Sequence, residues 1–96
     1  LSVRVAAQAA EATVSHLRTK KGDHEVDLIV QGSEGEVLGI EVKLAPVITD
    51  TDVRHLLWLR DKMPDSVTNL VVITTGTQVY RRTDGVLVLP LSMLAE

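Results

Sequence analysis

The sequence predicts an α/β sandwich around a mixed sheet, in one small domain spanning residues 1–96. Apolar residues make up 45% of the chain but aromatic residues only 2%, so the core must be built from Val, Leu, Ile and Ala. Two segments alternate polar and apolar residues as strands do, and two others repeat apolar residues at helical spacing. A domain of this size has a modest core, which a neighbouring domain or a second copy of the chain could supplement.

The first segment is predicted to be an amphipathic helix that ends near Ala12. Apolar residues recur there at helical spacing, at Val3, Ala6, Ala7, Ala10 and Val14. Residues 14–19 alternate weakly and predict a first strand, which the charged turn at residues 20–23 ends.

The next two segments predict an antiparallel hairpin. Residues 24–31 place Val26, Leu28 and Val30 on one face, and residues 37–44 alternate in the same way around a turn that holds two glycines. Pro46 ends the second strand, and Thr49 or Asp50 begins a helix with an apolar stripe.

The rest of the chain completes the sheet. Residues 67–75 form a largely apolar run, which is typical of a central strand buried on both faces. Residues 79–82 and 86–89 predict a short hairpin, and Pro90 can begin a last helical turn.

The register of the first hairpin brings carboxylates together. Only pairings whose residue numbers sum to an even value segregate the apolar side chains, so Asp27 is expected opposite Glu41, and Glu25 opposite Lys43. The other face is expected to be uniformly apolar. Facing carboxylates repel, and a hard divalent cation such as Mg²⁺ would remove that conflict. Lys43 could then stabilise charge that develops on a phosphate.

These residues also resemble a known motif. Asp27, followed by Glu41, Val42 and Lys43 on the next strand, is similar to the PD-(D/E)XK motif of nucleases with the restriction-endonuclease-like fold. More narrowly, residues 16–19, 24–29 and 40–44 resemble the domain of unknown function found C-terminal to prokaryotic P-loop (AAA-type) ATPases. The likeness continues through residues 52–59, 71–76 and 89–90, and so covers essentially the whole chain.

The resemblance implies a restriction-endonuclease-like sandwich with helices on both faces of the mixed sheet, in the order α-β-β-β-α-β and then a short hairpin. It implies that the chain is the C-terminal fragment of a longer ATPase, with Asp27 and Glu41 as metal ligands and Lys43 as electrostatic catalyst. Two departures stand out: Val26 replaces the proline of the motif, and Glu11 lies near the end of the first helix. The glutamate that such nucleases take from that helix is therefore expected before Leu1, and the metal site is expected to be incomplete.

Two functions follow as expectations. The first is an accessory domain of a P-loop ATPase, with nuclease ancestry and a nucleic-acid-linked or regulatory role. The alternative is an active Mg²⁺-dependent DNA phosphodiesterase. A third, purely structural interpretation is an exposed hairpin with a Glu25–Lys43 ion pair. No phosphate-binding loop is present in the sequence, so ATP hydrolysis is expected only from the missing N-terminal domain.

Charge and composition restrict the partners. The net charge of −3 means that any DNA contact must be local, and the basic residues form two clusters, Arg18 with Lys20 and Lys21, and Arg81 with Arg82. The absence of cysteine excludes disulfides and thiolate zinc sites, and cytoplasm is the default location. No apolar run is long enough to span a membrane.

Other candidate residues carry weaker signals. His16, His24 and His55 show no mutual ligand spacing in the sequence. Trp58 follows the apolar pair of the second helix and is expected to pack against the margin of the sheet or against the missing domain.

Overall fold

In a computed structural model of the chain, residues 13–19, 22 and 24–94 are described. They form six strands, one α-helix and two 3-10 turns, and the helix α1 (Arg54–Lys62) directly follows the first of these turns (Thr51–Val53). The strands are β1 (Thr13–Arg18), β2 (Glu25–Gln31), β3 (Val37–Lys43), β4 (Val67–Thr74), β5 (Tyr80–Arg81) and β6 (Leu87–Pro90), and a 3-10 turn (Leu91–Leu94) follows β6. The helix predicted up to Ala12 lies outside the described residues, as do Lys20 and Lys21.

The strands form one mixed sheet in the order β1-β2-β3-β4-β6-β5. The first three strands are antiparallel neighbours, β3, β4 and β6 run parallel, and β5 pairs antiparallel with β6. The strand predicted to be central is β4, which lies between β3 and β6 and is buried from Leu70 to Thr74. Its continuous apolar run is explained by this position, since both of its faces are covered.

The register between β2 and β3 is the one that the hydrophobic pattern predicts. Ile29 pairs with Gly39, and Gln31 pairs with Val37, across the turn at residues 32–36. Gly35 in this turn has a φ of 86°, a left-handed conformation that favours glycine.

The two faces of the sheet carry separate apolar clusters. Helix α1 packs on one face, where Leu56 and Leu59 come so close to β3 that a Cβ at Gly39 would lie 3.0 Å from Leu59. The other face holds Ile40, Val71 and Ile73, with Leu94 of the last 3-10 turn packed against them.

A β-bulge between β1 and β2 alters one of the predicted faces. Ser15 pairs with Ile29 but Leu17 pairs with Val26, so that Asp27 and Leu28 together stand opposite His16. The extra residue reverses the alternation of side chains. Val26 therefore packs in the cluster beside helix α1, whereas Leu28 packs on the other face, and the prediction that they share one apolar face is wrong.

The α/β class and the mixed sheet are confirmed. Within the described ranges one α-helix packs on one face of the sheet, so the predicted helices on both faces are observed only in part. Among these residues, no helix has the length and apolar character needed to cross a membrane.

Candidate functional site

Asp27 of β2 and Glu41 of β3 lie side by side near the carboxyl-terminal ends of the parallel strands. The regular β2–β3 pairing reaches Leu28 and Ile40, and beyond it side chains replace the backbone partners. The amide of Asp27 donates to Oε1 of Glu41 at 3.2 Å, and the amide of Val42 donates to Oδ2 of Asp27 at 2.8 Å. At the end of the hairpin away from the turn, the two carboxylates therefore take the place of backbone hydrogen-bond partners. The bulge places Asp27 where it can do this.

Proximity of the acids changes the chemistry of Glu41. Burial, reinforced by the negative charge of Asp27, raises the pKa of Glu41 from 4.5 to about 7, although the hydrogen bond from the Asp27 amide acts in the opposite direction. Glu25 raises this pKa further and His16 lowers it. Near neutral pH, Glu41 is therefore shared between its protonated and ionised forms.

Lys43 follows Glu41 by two residues on β3, but its ammonium group is engaged elsewhere. Its Nζ lies 3.3 Å from Oδ1 of Asp52, in the 3-10 turn before helix α1. Asp52 also accepts hydrogen bonds from the amide and hydroxyl of Thr49, at 2.9 and 3.1 Å. Hydrogen bonds from the Thr49 amide and from Lys43 lower the pKa of Asp52. The lysine thus joins the end of β3 to the start of the helical segment.

If the β2–β3 register continued beyond Leu28 and Ile40, Glu25 would stand opposite Lys43. The structure does not have this pairing. The bulge pairs Glu25 with Arg18 on β1, and its carboxylate lies 3.3 Å from Nε2 of His16. Because Lys43 contacts Asp52 instead, the predicted Glu25–Lys43 ion pair is not formed.

The carboxylate pair fits part of a divalent-metal site. In the described part of the chain, one oxygen of each carboxylate accepts a backbone hydrogen bond, which leaves Oδ1 of Asp27 and Oε2 of Glu41 as potential ligands. Mg²⁺ is commonly bound through one or two carboxylates and several waters. Within residues 13–19, 22 and 24–94, no group of three or more potential His, Asp or Glu ligands comes together.

The predicted nucleic-acid-binding residues are dispersed. Arg18 lies on β1 and Arg81 on β5, the two edge strands of the six-stranded sheet. Five strand spacings of about 4.8 Å separate them by roughly 24 Å, so they do not form one patch. Lys20 and Lys21 lie outside the described residues.

Arg82 is committed to contacts within the protein. Its guanidinium group pairs with the carboxylate of Asp50 and with Oδ2 of Asp84, and donates to the carbonyl of Ile48 at 3.3 Å. The side chain is only 14% exposed. These contacts give Arg82 a structural role, whereas Arg81 is exposed and hydrogen-bonded to Asn69 and Gly85.

The structure also brings together residues that the sequence does not connect. His24 precedes β2 and His55 lies in helix α1, yet their Nδ1 atoms are 3.3 Å apart. Trp58 stacks on the His24 ring, with centroids 4.2 Å apart and an interplanar angle of 9°. Thirty-one residues separate the two histidines. Only the packing of α1 beside the start of β2 reveals this cluster.

Comparison with known proteins gives the family of this chain. Residues 1–94 match the family described as a domain of unknown function, DUF4143. The chain belongs to the DUF4143 family. No curated protein and no solved structure matches it. Membership confirms the expected domain of unknown function. Three features of this DUF4143 domain could take part in binding or catalysis: the carboxylate pair, the Lys43–Asp52 ion pair and the histidine cluster.

Proposed function

We propose that this DUF4143 domain is a nuclease-like accessory module of a P-loop ATPase chain, with a nucleic-acid-linked or regulatory role. In this proposal Asp27 and Glu41 are remnants of a nuclease site that now have a structural use. The observation that carries it is the pair of hydrogen bonds by which the two carboxylates receive the amides of Asp27 and Val42. A carboxylate that satisfies a backbone donor contributes to folding whether or not it binds a metal.

The ion pair of Lys43 supports the same proposal. As an electrostatic catalyst, Lys43 would have to direct its ammonium group to a phosphate, and in this arrangement that group contacts Asp52. Asp52 is in turn fixed by two hydrogen bonds with Thr49. Use of Lys43 in catalysis would therefore require this contact to break.

The test uses the longer polypeptide that would contain both domains. We expect it to hydrolyse ATP and to leave supercoiled DNA intact in Mg²⁺ or Mn²⁺, at the same background level as an Asp27→Asn, Glu41→Gln double variant. ATP hydrolysis that changes when DNA is added would support a nucleic-acid-linked role. Absence of ATP hydrolysis from the longer polypeptide would overturn the ATPase association.

A second candidate function is a Mg²⁺-dependent DNA phosphodiesterase. The raised pKa of Glu41, caused by burial and by the charge of Asp27, favours it because a divalent cation would relieve this repulsion. When bound, the cation would polarise a phosphate oxygen and lower the pKa of an attacking water. Asp27 and Glu41 would hold it, and Lys43 would stabilise the phosphate charge after release from Asp52.

The edge of the sheet also offers space for a substrate. An open groove of about 500 Å³ begins at Thr74, the cross-strand partner of Lys43, and continues over Thr75, Gly76, Thr77, Leu91 and Ser92. Ligands of open α/β sheets commonly bind beyond the carboxyl ends of parallel strands. DNA nicking that disappears in the double variant would establish this second function in place of the first.

A further inference from the structure

We propose that His24 and His55 form a binding site for a divalent transition-metal ion of the Zn²⁺, Ni²⁺ and Cu²⁺ class, with Trp58 as its wall. The site is separate from the carboxylate pair and does not depend on the proposed function. Imidazole nitrogens suit these ions, whereas the oxygens of Asp27 and Glu41 suit Mg²⁺.

The separation of the two nitrogens matches the geometry of a shared metal. Nδ1 of His24 and Nδ1 of His55 are 3.3 Å apart. Two nitrogens bound at about 2.0–2.1 Å to one tetrahedral ion stand about 3.3–3.4 Å apart. The rings are nearly perpendicular, at 84°, with their centroids 5.4 Å apart, so they are not stacked on each other. The separation of the two nitrogens therefore suits one shared ion.

Each ring is positioned by a different neighbour. His24 is stacked on Trp58, which lies three residues after His55 on helix α1. Nδ1 of His55 also faces the amide of Glu25 at 3.4 Å, a long hydrogen bond that a metal ion could replace. Because the rings come from two packed elements, most of the ordering that metal binding requires has already occurred on folding.

The two imidazoles do not fill the coordination shell of such an ion. Two nitrogens leave further coordination positions on the ion, which water can fill, so the site is an open one.

The stacked tryptophan provides the experiment. Trp58 is the one tryptophan of the chain, and paramagnetic Cu²⁺ bound to His24 would quench its fluorescence. We expect saturable quenching with one equivalent of Cu²⁺, reversed by excess EDTA, whereas Zn²⁺, which is diamagnetic, should not quench. His55→Gln should weaken the apparent affinity at least tenfold, since loss of a ligand should cost no less than loss of an outer-shell partner.

Two variants serve as controls. His16→Gln removes the third histidine of the chain, and Glu41→Gln alters the carboxylate pair; both should retain the quenching. Equal quenching in His55→Gln and in the unchanged protein would overturn the proposal. So would loss of quenching in His16→Gln. Should His55→Gln not fold, ¹⁵N spectra of the unchanged protein decide: Zn²⁺ must shift Nδ1 of His24 and His55 and leave His16 unshifted.

Discussion

The amide of Asp27 donates to the carboxylate of Glu41, and the carboxylate of Asp27 accepts from the amide that follows Glu41. Each acid therefore has a backbone partner on the opposite strand, where regular pairing of β2 and β3 has ended. The same contacts that stabilise the hairpin place two carboxyl groups side by side, and burial, together with the repulsion between them, raises the pKa of Glu41.

We expect this sensitivity to appear in protein stability. Burial and the charge of Asp27 raise the pKa of Glu41 from 4.5 to about 7, so between these values the native state holds a proton that the unfolded chain has lost. The free energy of unfolding should therefore fall as the pH rises from about 4.5 to about 7. Because Glu41 is only half-buried, the loss should be roughly 1–2 kcal/mol. Urea denaturation across this pH range measures it.

Glu41→Gln should remove this contribution, so the difference in stability between variant and unchanged protein should vary with pH over that interval. Glu34→Gln, in the exposed turn of the hairpin, is the matched control and should follow the unchanged protein. A pH-independent difference for Glu41→Gln would contradict the assignment.

Arg82 should contribute more to stability than its neighbour. Arg82→Ala leaves the carboxylate of Asp84 and the carbonyl of Ile48 without their guanidinium partner, and we expect a loss of about 2 kcal/mol. Arg81→Ala, on the exposed edge strand, should cost less than about 1 kcal/mol. Chemical denaturation midpoints compare the two variants, and equal losses would refute the structural role of Arg82.

Much of the fold could be predicted because β-strand periodicity is a local property. Alternation of apolar side chains determined the pairing of Ile29 with Gly39, and the uninterrupted apolar run around Val72 indicated a central strand. The same arithmetic predicted that Asp27 lies beside Glu41; the regular pairing stops at Leu28 and Ile40, and a hydrogen bond from the Asp27 amide to the Glu41 carboxylate joins the two residues.

The bulge could not be predicted in this way. One extra residue opposite His16 moves Val26 to the face of helix α1 and pairs Glu25 with Arg18. Apolar residues nevertheless recur at every second position of the β2 sequence, so the sequence gives no sign of the bulge. The contacts of Lys43 with Asp52 and of His24 with His55 depend on where α1 packs, which is a tertiary property.

DNA binding by the chain should be weak and strongly salt-dependent. The net charge is −3, and Arg18 and Arg81 lie on opposite edges of the sheet, so attraction to phosphates can come only from a few separated basic residues. Each phosphate contact contributes about 0.9 to the slope of log K against log salt concentration. Fluorescence anisotropy over a salt series should show that Arg18→Ala or Arg81→Ala lowers this slope by about 0.9 for each phosphate contact that is lost. Tight binding insensitive to salt would show a different mode of recognition.

Glu41 and Lys43 should have separable roles in metal binding and cleavage. Two carboxylates offer few ligands, so Mg²⁺ or Mn²⁺ should bind this chain weakly. A longer polypeptide that supplies the glutamate expected before Leu1 should bind the ion more tightly. If the longer polypeptide cleaves DNA at this site, Glu41→Ala should abolish cleavage because a metal ligand is lost. Lys43→Ala should reduce cleavage but leave the metal affinity equal or higher, because a repelling cation is removed.

Isothermal titration measures the metal affinity, and a nicking assay on the same preparations measures DNA cleavage. Lys62→Ala, at the exposed end of helix α1, is the control for removal of a lysine and should change neither quantity. Cleavage that persists in both Glu41→Ala and Lys43→Ala would place the activity elsewhere. Equal losses of metal affinity in these two variants would contradict the separate roles, because only the carboxylate can ligate a cation while the ammonium group repels it.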